Sequence, residues 1–340
     1  MVIALKAVQH RRKQLLARVT PWNLPLLFLL GFPLWLCPWA PFGAPRNDAR
    51  VFVLVDRSAS FYLQASRGFK QSFTPAADVA VSYVEGDPRE LDAAIEALRP
   101  DPPRLVVVFG TQAAIAAKSR LRNVPIIYCL ALDPVKNELV GPNVGGVRLE
   151  VELSQQFADL EDLLPHVKRI GLIYNEPASG KLVRQARARV RPGIQLISRD
   201  ARDPRQAAQL IEEIMGQVDA FCLLWDPVIA NVSNFRLLVD LSLKNKVALI
   251  APAPPFVEAG ALMSVAADYE KTGQRAGEMA RLVLTGERAG DFRAEPPPAY
   301  VITINASVAR QLGIVIPPSL AAEVLSPGVP PVQAPGGPDK

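Results

Sequence analysis

The chain of 340 residues is longer than a single hydrophobic core usually grows, and its hydrophobic content of 49% is enough for two lobes. Subtracting the five basic residues of the acid-free segment 1–45 from the 38 in the chain leaves 33, which equals the number of acidic residues. Outside segment 1–45 the chain therefore lacks the excess of basic residues that is typical of a nucleic-acid binder, so we predict no nucleic-acid partner.

The first 45 residues have the order of a targeting segment. A cationic stretch precedes an uncharged run that contains the apolar sequence from Leu24 to Cys37. This order is typical of a signal peptide or an uncleaved membrane anchor. Lipid modification of Cys37 is disfavoured because the bulky Leu36 precedes it, so we prefer an unmodified apolar cysteine. We therefore expect a periplasmic or extracytoplasmic protein, anchored to the inner membrane if the segment is retained.

The motifs of metal, nucleotide and triad chemistry are missing from the sequence. It has no CxxC pair and two histidines, His10 and His166, neither of which follows a predicted strand. GxGxxG and GxxxxGK[ST] are also absent. Cys129 and Cys222 lie in apolar runs of different predicted lobes, where buried free thiols are the default. We predict no metal, no cofactor and no enzyme.

The first half of the chain alternates predicted strands and helices. The apolar run 104–109, bounded by Pro103 and Gly110, is typical of a strand buried on both faces, and the Ala-rich run 112–119 predicts a helix after it. Further strands are predicted at 51–55, 79–83 and 125–132, and further helices at 61–73 and 88–98. This alternation predicts a parallel sheet with right-handed crossover helices.

The paired glycines in 144–149 predict a bend or a crossing segment rather than a core strand. A second alternation then follows. Its predicted strands are 169–174, 194–197, 220–225, 247–251, 261–266 and 300–304, and its predicted helices are 153–164, 180–190, 204–215, 232–244, 268–285 and 305–312. We predict an α/β fold of two parallel-sheet lobes, joined by more than one crossing so that the cleft between them opens by hinge bending.

Loops at the carboxyl ends of parallel strands are the expected ligand-binding positions, because helix N-termini present free N–H groups there. Hydroxyl and backbone N–H groups suit a carboxylate, Asp133 or Asp226 suits an ammonium group, and Tyr174, Trp225 and Phe256 suit an apolar wall. The predicted ligand-binding residues are Ser58, Ser60, Gly110, Thr111, Gln112, Asp133, Asn175, Ser179, Asp226, Pro252, Phe256 and Asp268.

Several of these residues have a structural interpretation of similar weight. Ser60 and Thr111 are also typical helix caps. Asp133 and Asp226 each precede a proline, as in turns where Asp bonds to local backbone groups. The three aromatic residues also fit a buried core.

A succession of motifs resembles a known family. They are GFKQSF, FGTQAA, LDPV, GLIYNEPAS, LLWDPVI, the run APAPPFVEAGALMSVAADYEKTGQRAGEMARLVLTGERAGD and INASVARQLGI. Between Arg50 and about Ser319 the chain resembles the periplasmic substrate-binding proteins of ABC importers in the TrpX-like group. The long run after Ile250 is the most specific part. The resemblance implies the type I periplasmic-binding-protein fold, with two doubly wound parallel-sheet lobes, three hinge strands and a ligand closed between them.

The resemblance also implies a function. We expect an extracytoplasmic substrate-binding component that closes on a small organic solute, with an aromatic amino acid favoured, and that docks as a monomer on an ABC permease subunit. Membrane contact is expected through the amino-terminal segment if it is uncleaved. The alternatives are a membrane-tethered ligand-sensing domain that feeds a signalling partner and, less favoured, a cleft hydrolase that uses Asp133 and Asp226.

The predicted domain boundaries combine both lines of reasoning. Residues 1–45 are a signal peptide or anchor. Residues 48–147 plus 266–297 form the first lobe, and residues 148–265 plus 298–322 form the second. Residues 323–340 are a disordered tail rich in Pro and Gly.

Overall fold

The computed structural model describes residues 51–73, 79–318, 320 and 323–325. The predicted targeting segment, with Cys37 and His10, lies outside these residues, as does the end of the chain from residue 326. Among the helices in the described part of the chain, none has the length and apolarity that a membrane crossing requires.

The first half of the chain forms a parallel sheet of five strands. In spatial order these strands are β2, β1, β3, β4 and β5, and every neighbouring pair is parallel. The strands are β1 (Val51–Asp56), β2 (Val79–Val84), β3 (Leu105–Phe109), β4 (Ile126–Ala131) and β5 (Val144–Arg148), and the helices between them are α1 (Ser60–Ser72), α2 (Pro88–Glu96) and α3 (Thr111–Arg120). All five residues of β3 are buried, as the apolar run predicted.

The paired glycines lie in a buried strand, so the predicted bend at 144–149 is wrong. Gly145 and Gly146 both belong to β5, which pairs with β4. A Cβ at Gly145 would overlap the carbonyl oxygen of Ala289, and a Cβ at Gly146 would overlap that of Tyr128. The backbone of Gly146 also bonds to the returning chain, accepting from the N–H of Glu295 at 2.9 Å. The glycines therefore permit close backbone approach within the sheet.

The second half of the chain forms a sheet of seven strands. Their spatial order is β12, β11, β10, β9, β8, β6 and β7, and all neighbours are parallel except β10 and β11. The strands are β6 (Arg169–Tyr174), β7 (Gln195–Asp200), β8 (Ala220–Cys222), β9 (Ala248–Ala251), β10 (Met263–Ala267), β11 (Tyr300–Asn305) and β12 (Glu323–Leu325). The helices are α4 (Leu153–Leu163), α5 (Glu176–Arg189), α6 (Pro204–Ile214), α7 (Val232–Asn245), α8 (Pro254–Glu258), α9 (Tyr269–Leu284) and α10 (Ala306–Leu312).

The observed elements depart from the predicted ones at several places, among them a helix start, an unpredicted helix and a late strand. Helix α5 begins at Glu176, four residues before the predicted start, with Pro177 in its first turn, where proline's missing N–H costs nothing. The short helix α8 was not predicted. Residues 323–325, placed in the predicted disordered tail, form β12, because their backbone pairs with the free edge of β11.

The polypeptide passes between the two sheets three times. The first crossing, residues 149–152, joins β5 to α4; the second is at Asp268, between β10 and α9; the third is at 296–299, before β11. Helix α9 belongs with the first sheet, since Ala276 and Met279 share an apolar cluster with Val53 and Phe109. Each sheet has apolar clusters on both faces, as a parallel sheet covered by helices requires.

Candidate functional site

A cavity of about 700 Å³ lies where the carboxyl ends of strands from both sheets face each other. The first sheet contributes Asp56 at the end of β1, Thr111 after β3 and the loop 132–137 after β4. The second sheet contributes Trp225 after β8, and the first crossing adds Glu150. The cavity thus joins loops that are far apart in sequence, as strand-end loops of two facing parallel sheets would be.

The structure places five of the twelve predicted ligand-binding residues on the cavity wall. These are Thr111, Gln112, Asp133, Ser179 and Pro252. The other seven lie off the wall: Ser58, Ser60, Gly110, Asn175, Asp226, Phe256 and Asp268.

The hydroxyl of Thr111 is a cavity group and not a helix cap. The N-cap of α3 is Gly110, whose φ of +105° suits glycine, and no side chain caps that helix. Thr111 Oγ1 instead accepts the backbone N–H of Leu132 at 2.8 Å. A hydroxyl that accepts one hydrogen bond keeps its own proton to donate. Ser60 is likewise no cap, because α1 starts at Ser60 and its N-cap is Ala59.

The carboxylate of Asp226 has a structural role. Its side chain is buried, Oδ2 accepts the N–H of Asn175 at 2.8 Å, and Oδ1 accepts the N–H of Val228 at 2.9 Å. The two bonds tie the start of α5 to the loop after β8. Because both oxygens are already paired and the residue lies off the cavity wall, the geometry favours the turn over the ammonium-binding role.

Asp133 combines a turn with a place on the cavity wall. Its φ is +37°, and Oδ1 accepts the N–H of Lys136 at 3.1 Å, which closes the turn. Its own N–H donates to Oε1 of Glu150 at 2.6 Å. The strand-end loop is thereby attached to the first crossing.

The remaining predicted residues pack behind the cavity wall, cap a helix or bond to a neighbouring loop. The ring of Phe256 packs edge-to-face against Trp225 at 5.7 Å between centroids. Asp268 caps α9 by accepting the N–H of Lys271 at 3.0 Å. Asn175 donates from its amide to the carbonyl of Ala201 at 2.9 Å. Tyr174, predicted as an apolar wall, is also off the cavity lining.

Two tyrosines line the cavity that the sequence interpretation missed. Tyr62 lies in the first turn of α1, and Tyr269 is the first residue of α9. Phe61 stacks on Tyr269 with centroids 5.2 Å apart. Burial raises the pKa of both hydroxyls above the ordinary value, so both remain protonated donors at neutral pH. The rule of strand-end loops predicted neither ring, because both belong to the first turns of the helices that follow those loops.

Glu150 is the other group that was missed. Burial is the main cause that raises the pKa of its carboxyl, while the nearby Arg148 acts in the opposite direction. Its Oε2 is buried and has no hydrogen-bond partner among the described residues. Nothing in the local sequence signals this, because Glu150-Val151-Glu152 resembles an ordinary surface loop.

Charges of both signs line the cavity. Glu152 is paired with two arginines, Arg148 at 3.2 Å and Arg189 at 2.5 Å. Lys136 and Lys181 also lie on the wall. Among the residues that the structure describes, no group of three or more His, Cys, Asp or Glu side chains is placed to hold a metal ion. Hydroxyl donors, a carboxylate and aromatic rings are the combination that binds a zwitterion with an apolar side chain.

The comparisons with known proteins agree with the fold. The family model for the ABC transporter substrate binding protein matches residues 75–326. A tyrosine-binding protein of Clostridioides difficile (strain R20291) is 27% identical over 221 residues, which are 62% of this chain and 64% of that protein's length. The chain therefore spans less than two thirds of that relative.

Two solved structures are similar over most of the chain. The ABC domain in complex with L-Trp from Streptococcus pneumoniae is 26% identical, covers 82% of this chain and 100% of its own, and has a TM-score of 0.63. The ligand-free, open structure of a substrate-binding protein with adhesive properties from Clostridium difficile has a TM-score of 0.70 and covers 82% of this chain and 99% of its own; at 22% identity it shows the shared fold. Since the family model spans most of the polypeptide, the chain belongs to the family of ABC transporter substrate-binding proteins.

Proposed function

We propose that the chain is the extracytoplasmic substrate-binding component of an ABC importer, and that its two lobes close over an aromatic amino acid. The observation that carries the proposal is the single cavity shared by the strand ends of both sheets. Its volume of about 700 Å³ falls in the range of small-molecule sites. An aromatic amino acid would occupy part of this space, and lobe closure would reduce the remainder.

The chemistry of the wall supports an aromatic solute. Tyr62 and Tyr269 lie on the side of the first sheet, and Trp225 follows β8 of the second. Trp225 also packs against the apolar cluster of the first sheet, so its ring lies between the two halves. Aromatic pairs contribute about 0.5–1.5 kcal/mol beyond simple burial. The named ligands of two relatives, tyrosine and L-Trp, agree with this choice.

The three crossings supply the hinge for closure. We propose that the lobe boundaries lie at these crossings, with the sheet of β1 to β5 and helix α9 in the first lobe and the sheet of β6 to β12 in the second. This moves the boundaries predicted from the sequence, 48–147 plus 266–297 and 148–265 plus 298–322, by a few residues, because Arg148 lies in β5 and residues 266 and 267 lie in β10. A ligand that contacts both lobes binds the closed state better, and it shifts the equilibrium by that difference in affinity. The partner that reads the closed state would be an ABC permease subunit, and the site of action would be extracytoplasmic.

The test is a thermal-shift and calorimetry screen of the protein against L-tryptophan, L-tyrosine, L-phenylalanine, L-alanine and a neutral sugar. A true ligand at a hundredfold its dissociation constant should stabilise the fold by about 2.7 kcal/mol. We expect this response from an aromatic amino acid. Substitution Trp225→Ala should reduce it, whereas Tyr83→Ala, which removes an exposed ring on β2 away from the cavity, should leave it unchanged.

A response to the sugar alone would contradict an aromatic amino acid as the solute. The absence of any response across the screen would contradict the substrate-binding proposal itself.

A further inference from the structure

We infer that the carboxylate of Glu150 binds the ammonium group of the solute, so that the protein selects solutes with a protonated amine. This inference rests on the proposed function and assigns the residue that binds the solute's amine within the same cavity. Glu150 thereby takes the ammonium-binding role that the sequence suggested for Asp133 or Asp226.

The side chain of Glu150 has one oxygen that is free to accept hydrogen bonds from a cation. Oε1 accepts the N–H of Asp133 at 2.6 Å, while Oε2 is buried without a partner among the described residues. A carboxylate accepts up to about four hydrogen bonds, and an ionised oxygen left unpaired away from water is strongly unfavourable. The side chain lines the cavity, and the terminal torsion of glutamate is soft, so a small rotation turns this oxygen toward a bound solute.

The other carboxylates of the cavity wall are already engaged. Glu152 pairs with Arg148 and Arg189. Asp133 accepts the N–H of Lys136, and Asp56 accepts the N–H of Ser58 at 2.8 Å. Within the described part of the wall, Glu150 is the carboxylate that has a buried oxygen without a partner.

The position of Glu150 relative to Thr111 matches an α-amino acid. Thr111 Oγ1 accepts the N–H of Leu132, and Glu150 Oε1 accepts the N–H of the next residue, Asp133. Successive backbone N–H groups after β4 therefore bond to the Thr111 hydroxyl and to the Glu150 carboxylate. In an α-amino acid the carboxylate and the ammonium group are on the same carbon, so their recognition groups must be neighbours. Thr111, beside the first N–H groups of α3, suits the solute carboxylate.

The test uses a pair of probes that differ in the amine alone. L-tryptophan and indole-3-propionate share the indole ring and the carboxylate, and the second compound lacks the ammonium group. We expect the wild-type protein to bind L-tryptophan more tightly. The isosteric change Glu150→Gln should weaken L-tryptophan binding by about tenfold to a hundredfold, the range for a hydrogen bond to a charged group, and leave indole-3-propionate unaffected.

The matched control is Glu213→Gln, which removes an exposed carboxylate of α6 away from the cavity and should change neither affinity. If Glu150→Gln does not fold, tryptamine, which keeps the amine and lacks the carboxylate, joins the wild-type comparison. It should then compete with L-tryptophan, and failure to compete would count against an amine-binding pole.

Unchanged L-tryptophan binding by Glu150→Gln would overturn the inference and leave the proposed function standing. Wild-type preference for indole-3-propionate would have the same consequence. If the wild-type protein binds none of these aromatic probes, the proposed function fails first, and the role of Glu150 fails with it.

Discussion

The carboxylates of Asp226 and Glu150 differ in how their oxygens are paired. Asp226 has both oxygens paired with backbone N–H groups, so its charge helps to hold two loops together. Glu150 has one oxygen paired and one without a partner among the described residues. Burial raises the pKa of its carboxyl, while the hydrogen bond from the N–H of Asp133 and the charge of Arg148 oppose that rise. Tyr128, whose pKa burial raises to about 12, also faces this carboxylate. A residue that is unfavourable in the solute-free protein is typical of a binding site.

The pKa of Glu150 predicts how stability changes with pH. Below the unfolded value of about 4.3, the carboxyl is protonated in both states and carries no penalty. As the pH rises through that value toward the raised pKa of the folded state, the unfolded chain loses its proton first, and the solute-free protein loses stability. We expect Glu150→Gln to melt at a higher temperature than the wild type at pH 7.

The same melting curves, recorded at pH 4 to 7 without solute, should show the two proteins converging at the acid end. Asp159, whose pKa burial also raises, is common to both proteins and cancels in the comparison. A melting-temperature difference that is independent of pH would show that charge is not its cause.

At the scale of elements, helices α1 and α9 are in direct backbone contact. A Cβ at Gly68 would overlap the carbonyl of Glu270, and a Cβ at Gly273 would overlap the carbonyl of Ala65. The same contact joins the amino-terminal part of the first lobe to the segment that returns from the second sheet. Glycine normally weakens a helix interior by about 1 kcal/mol relative to alanine, and here the close packing offsets that loss.

This contact predicts the sign of a glycine substitution. Gly273→Ala should destabilise the protein by about 1–3 kcal/mol, the usual cost of overpacking, although alanine is the better helix former. Urea unfolding measures the difference. Gly216→Ala is the matched control, because a Cβ there meets nothing within 4 Å. A stabilised Gly273→Ala protein would mean that the helices lie further apart than the structure places them.

At the scale of the whole molecule, a hydrogen bond of the Lys136 side chain connects the two halves across the cavity. Lys136 follows β4 of the first sheet, and its Nζ donates to the carbonyl of Ala178 in α5 at 3.0 Å. Both residues line the cavity. Because this bond depends on the approach of the two halves, it would favour the closed arrangement.

Removal of this bond should therefore shift the protein toward the open form. We expect Lys136→Ala to weaken L-tryptophan binding by about threefold to tenfold, the equivalent of one exposed hydrogen bond. Small-angle scattering should show a larger mean radius of gyration for the variant at subsaturating L-tryptophan. Lys244→Ala, an exposed cation near the end of α7, should behave as the wild type. Equal affinities of Lys136→Ala and wild type would remove this bond from the closure step.

The sequence by itself determined the α/β class and the order of most elements, and it predicted a ligand site at the strand ends. Those features follow from local patterns: the apolar run that forms β3, the Ala-rich run of α3, and prolines and glycines that end elements. Thr111 and Ser179 were predicted in this way, and both lie on the cavity wall, in the first turns of helices that follow strands.

Only the tertiary structure decided which strand-end groups share the cavity. Asp226 and Asp133 both precede a proline, yet the carboxylate of Asp226 is paired with Asn175, 51 residues away in the chain. The partner of Glu150 is Asp133, from the end of a neighbouring strand. Gly145 of β5 is required because the returning segment 289–292 packs on it, and Gly146 because the backbone of Tyr128 in β4 lies against it. Hydrogen bonds and backbone contacts between distant segments leave no periodic pattern in the sequence, so the fold could be predicted and the pairing of its polar groups could not.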